Sequence, residues 1–72
     1  MMSANIQWVP VNNSLTMSHR MASGYQYFIR RRYNGTVLLT SEGNDANPPR
    51  RQECPSMRDA FQLADQWESG VD

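Results

Sequence analysis

The clearest hydrophobic and polar pattern runs from Tyr25 to Glu42, where two stretches rich in β-branched and aromatic residues flank Asn34-Gly35. That dipeptide between two strand-like runs signals a hairpin. A two-residue turn on it pairs Arg31 with Leu38 and Ile29 with Thr40, setting polar against apolar partners on both faces. A three-residue loop, Tyr33-Asn34-Gly35, with Gly35 left-handed as a G1 bulge, pairs Ile29 with Leu39 and Arg31 with Val37 instead. Tyr25, Tyr27, Ile29, Val37 and Leu39 then share one face. Gln26, Phe28, Arg30, Arg32, Thr36, Leu38 and Thr40 share the other. The first is the expected core face.

A helical period follows near the C-terminus. Met57, Ala60, Phe61, Ala64 and Trp67 stand at i, i+3, i+4, i+7 and i+10, one apolar stripe with Leu63 beside it. Ser56 is placed to cap this helix, with Asp59 three residues on in a capping-box position, and Gly70 ends it, so the helix is expected over residues 56–69. Upstream, residues 6–11 (Ile-Gln-Trp-Val-Pro-Val) predict a short strand, and Pro10 assigns it to a sheet edge because proline cannot donate to a ladder. Asn12-Asn13-Ser14 reads as a turn, and Leu15 to Ser18 alternate weakly, as a further strand would. Gly43 to Pro55 has Asn44, Asp45, Asn47, two adjacent prolines and Arg50-Arg51 but no hydrophobic period, so it reads as an exposed, mobile loop. The expected fold is α+β: a three-stranded antiparallel sheet, four-stranded if residues 15–18 join it, with one C-terminal helix packed on one face.

The stretch Asn34-Gly35-Thr36-Val37-Leu38-Leu39-Thr40-Ser41-Glu42-Gly43 resembles the hairpin of the small bacterial YegP-like proteins. Their repeat has an aromatic and basic strand, an Asn-Gly turn, a strand ending in Thr-Ser-Glu, and a helix. Residues 25–69 follow a similar order. The aromatic alternation before Asn34 is one residue out of phase with theirs, and the segment before the helix is longer. The resemblance implies topology alone.

A chain of 72 residues has room for one hydrophobic core and one domain, residues 1–72. So short a chain buries about 60% of its unfolded surface, which makes dimerisation or docking on a partner an expectation before any motif is read. Cys54 is its only cysteine, and secreted domains of this size normally carry a disulfide framework, so a cytoplasmic location is expected. Met-Met-Ser-Ala-Asn lacks the order of a signal peptide, and no apolar run reaches the roughly 20 residues of a membrane helix. Net charge is zero but unevenly spread. His19 to Arg51 holds six arginines against two acids, whereas from Gln52 onward Arg58 faces five acids. Every basic residue is arginine, which suits bidentate guanidinium contacts and equally a GC-rich coding sequence.

Few residues offer chemistry. His19 and Cys54 are each alone, short of a metal-ligand cluster, and 35 positions separate the thiol from its one candidate base. The glycines at 24, 35, 43 and 70 are isolated, which excludes a phosphate-cradling loop. The chain is therefore expected not to be an enzyme and to need no cofactor or metal. The constellation with binding potential is Arg30 and Arg32 beside Phe28 and Leu38 on the non-core face, joined by Arg50 and Arg51 from the loop. An arginine among exposed apolar side chains is a common composition for a protein-binding hot spot. The leading expectation is a protein-binding adaptor or inhibitor of the kind phages and mobile elements encode. The first alternative is a nucleic-acid binder using the same face, which zero net charge disfavours. The second is a homodimeric assembly protein joined through edge strands, with Trp8 at the interface.

Overall fold

A computed structural model describes residues 5–43 and 48–70. Among them the chain forms β1 (Trp8–Pro10), β2 (Leu15–Ser18), β3 (Gln26–Arg31), β4 (Val37–Glu42), β5 (Arg50–Cys54) and α1 (Met57–Ser69). The strands make one antiparallel meander in the order β1-β2-β3-β4-β5. The class is α+β with a single C-terminal helix, but the sheet has five strands where three or four were expected. Weak alternation had marked β2. No alternation marked β5, which lies inside the segment read as a loop; Asn44, Asp45 and Asn47 of that segment, like residues 1–4 and 71–72, fall outside the described residues.

The central hairpin takes the three-residue loop. Ile29 pairs with Leu39 and Arg31 with Val37. Arg32 N–H donates to the Thr36 carbonyl at 2.9 Å, Gly35 N–H donates to the Arg32 carbonyl at 3.2 Å, and Gly35 has φ +90°. A two-residue type I′ turn would need positive φ at Asn34 too, and Asn5 is the only non-glycine with positive φ among the described residues. The turn before β2 is an Asx turn: Asn12 Oδ1 accepts from the N–H of Ser14 at 2.7 Å and of Leu15 at 2.9 Å.

Tyr27, Ile29, Val37 and Leu39 are buried on one sheet face, with Cys54, Ala60 and Ala64 completing the core. The helix comes closest to the sheet at the two alanines, its only fully buried positions. Met57, Phe61, Leu63 and Trp67 pack around them half-buried, and Phe61 meets Trp8 with ring centroids 5.1 Å apart. Trp8 is therefore a wall of the core on β1. Ser56 caps α1 as the sequence predicts, accepting from Asp59 N–H at 3.3 Å and donating to Asp59 Oδ2 at 2.8 Å. The far end of the helix is tied to β3 and to the turn before it, where Tyr27 Oη and Ser23 Oγ, respectively, donate to Glu68 Oε1, each at 2.8 Å. Burial, then the neighbouring Glu68 carboxylate, holds the Tyr27 phenol well above its ordinary 10.0.

β5 explains why it was illegible. Its register sets Arg50, Gln52 and Cys54 on the helix side and Arg51 and Glu53 on the other, so only Cys54 is buried. What holds the strand is pairing with β4 and its own polar side chains. Arg50 N–H donates to the buried Ser41 Oγ at 2.9 Å, and the Arg50 guanidinium lies 5.5 Å from the Trp67 ring and 5.9 Å from the Tyr25 ring. Such stacking contributes roughly 0.5–2 kcal/mol. A hydrophobic period is absent because the strand sits at an edge.

Candidate binding face

Among the described residues there is one helix for five strands, and none of them covers the other side of the sheet. Strand alternation determines what it displays, and the registers align it in rows. Val9, Met17, Phe28, Thr40 and Arg51 form one row across all five strands. Leu15, Arg30, Leu38 and Glu53 form the next across four. Leu15, Phe28, Arg30, Leu38, Thr40 and Glu42 line a shallow depression of about 260 Å³. Phe28, Leu38, Leu15 and Met17 are half-buried among one another, and Val9 and Val11 at the β1 end are 57% and 51% exposed. This is an apolar patch crossed by single charges.

The charges differ in what they touch. Arg30 stands exposed at the lip of the depression, with no ion-pair partner among the described residues. Arg51 is likewise exposed and reaches this face only because residues 50–54 form a strand. Arg32, beyond the end of β3, places Nε 3.8 Å from Glu53 Oε2, and the Thr36 hydroxyl donates to the same oxygen at 2.6 Å. Its charge is thus partly answered at the hairpin end. Arg31 turns to the helix side opposite Val37. Arg50, grouped by sequence with the binding residues, does not belong to this face: it points to the helix side and is engaged with Tyr25 and Trp67. Its reassignment follows from alternation along β5, which no loop reading supplies.

Sequence reasoning missed Leu15, Met17 and Val9 as members of the patch. The weak alternation of residues 15–18 was the available signal, since it puts Leu15 and Met17 on one face. Which face depended on the β2–β3 register, and Leu15 opposite Arg30 decides it.

Burial, then the nearby Asp59, pushes the Cys54 thiol above its ordinary range, opposite to what a thiolate nucleophile requires. No group of three or more His, Cys, Asp or Glu residues is placed to hold a metal among the described residues. No helix among them is long and apolar enough to cross a membrane.

The structure thus defines an α+β domain of one sheet and one backing helix, with an uncovered, mixed apolar and arginine face. No protein-family model, curated protein or solved structure matches the chain.

Proposed function

We propose that this chain is a non-enzymatic protein-binding module, an adaptor or inhibitor, that uses the bare sheet face. The observation that supports the reading is the depression floored by Leu15, Phe28 and Leu38 with unpaired Arg30 at its lip. It suits an apolar side chain of a partner protein that is followed or preceded by a carboxylate for the guanidinium. A protein is favoured over nucleic acid because Glu42 and Glu53 share the face and Glu53 answers Arg32, which leaves too little positive potential for a phosphate backbone. A cytoplasmic setting belongs to the same reading, since the lone thiol is buried and unbridged. The likeness to YegP-like proteins enters it as topology only, with β5 interposed here between hairpin and helix.

Selection from a displayed random-peptide library tests the reading. The expected ligands carry a large apolar residue adjacent to Asp or Glu. Leu38→Asp and Arg30→Ala should each weaken them by about tenfold or more, as loss of anchor residues does. Arg31→Ala, on the opposite side, should leave affinity within about twofold, as expected for a residue outside the contact. Equal losses at Arg30 and Arg31 would indicate diffuse charge attraction, and tight salt-sensitive binding to random DNA would replace the protein partner with nucleic acid.

A further inference from the structure

The two edges of the sheet are not equivalent, and the difference lies in where backbone groups point. In β3 and β4 the bond from Arg32 N–H to the Thr36 carbonyl shows that even-numbered residues turn their N–H and C=O toward each other. Val37, Leu39 and Ser41 therefore turn theirs toward β5, and their partners Cys54, Gln52 and Arg50 turn back toward β4. Arg51 and Glu53 are left with backbone N–H and C=O directed off the edge. Consistent with that, the Glu53 carbonyl has no strand partner among the described residues and accepts from the Gln52 side-chain amide at 3.0 Å.

At the opposite edge, Val11 N–H bonds the Leu15 carbonyl and His19 N–H bonds the Gln7 carbonyl, so odd residues of β1 face β2 and even ones point outward. Pro10 occupies one of those outward positions and has no N–H. The β1 edge is short and blocked, whereas the β5 edge spans five residues without a proline.

We propose that two copies of this chain associate antiparallel through β5, with Gln52 opposite the partner's Gln52 on the two-fold axis. The sequence of the strand, Arg50-Arg51-Gln52-Glu53-Cys54, is complementary to itself in that register. Arg51 stands opposite the partner's Glu53 and Glu53 opposite the partner's Arg51, all on the bare face. These are also the residues whose backbone groups point outward, so each such pair exchanges two hydrogen bonds. Moving the axis to Arg51 or to Glu53 sets like charges directly opposite, which is destabilising, so the register is specified. Pro49 and Pro55, the next outward positions, lack an N–H and confine the ladder to β5. Glu53 is equipped for a second cation, because Thr36 and Arg32 both engage Oε2. The two-fold axis is perpendicular to the sheet, so both helices lie on one side and the bare faces join into one surface. This association stands independently of what the bare face binds.

Sedimentation across a concentration series tests it. Wild type should self-associate with Kd between about 1 μM and 1 mM, the weak range that fits a five-residue strand pairing. Arg51→Glu and Glu53→Arg, each alone, should weaken association about tenfold or more, since each turns two attractive pairs into repulsive ones. Mixing those two variants should restore a dimer, because every opposed pair is again of opposite sign, and the double swap in one chain should restore it too. Should Glu53→Arg fail to fold, Glu53→Gln keeps an acceptor for Thr36 and should weaken association by a smaller factor. A wild type that remains monomeric at about 1 mM, single variants that associate as well as wild type, or a mixture that does not recover would each overturn the proposal.

Discussion

Gly35 offers a substitution whose cost can be separated into its parts. Its φ is +90°, in the region L residues avoid, yet a Cβ built there meets no heavy atom within 4 Å. Any cost of Gly35→Ala is therefore backbone strain and not collision. Left-handed backbone costs an L residue about 1–2 kcal/mol. Against this, replacing glycine removes freedom from the unfolded chain and returns about 0.4–1 kcal/mol. The net for L-alanine is a destabilisation of about 1 kcal/mol. D-alanine at the same position reduces unfolded freedom equally but prefers positive φ, so it should stabilise by about 0.4–1 kcal/mol. The difference between the two epimers isolates the strain. In a domain of this size each kcal/mol moves the melting temperature by about 4–8 °C, so the epimers should melt roughly 5–15 °C apart. The chain is short enough for chemical synthesis, and thermal melts followed by circular dichroism give the comparison. Epimers that melt together, or an L form above the D form, would refute positive φ at Gly35 and with it the three-residue loop that sets the hairpin register.

The helix approaches the sheet at Ala60 and Ala64, both fully buried, so Ala64→Leu should overpack the contact and cost about 1–3 kcal/mol, while Gln62→Leu on the exposed face should change denaturant stability by about 0.5 kcal/mol or less. Equal effects at the two positions would mean that the alanines are not the contact. Cys54 and Tyr27 both hold their protons more tightly folded than at their ordinary 9.0 and 10.0. The unfolded chain therefore loses those protons first as pH rises, so stability should be full below pH about 9 and fall above it. Cys54→Ser should remove the earlier part of that decline and Tyr27→Phe the later, and urea titrations between pH 7 and 11 would read both; a flat profile would show that neither group is buried as described.

Alternation alone placed Tyr27, Ile29, Val37 and Leu39 on the core face and Phe28, Arg30 and Leu38 on the other, because side chains in a strand have period two and the apolar sets of β3 and β4 match in one register only. The cap at Ser56 and the helix that follows were legible for the same reason: their signals are local, carried by spacing within a few residues. Alternation also put Leu15 and Met17 together, but only pairing with β3 decided that their side was the bare one.

β5 needed the tertiary structure altogether. Arg50 to Cys54 bury one side chain, so no hydrophobic period exists to be read, and the strand forms because β4 presents an unpaired edge while Ser41, Tyr25 and Trp67 engage Arg50. With that strand came the separation of Arg50 from Arg51, adjacent in sequence and on opposite faces in space. A polar edge strand takes its conformation from its neighbour's backbone, and apart from excluding proline at donating positions that bonding imposes no hydrophobic period on the side chains.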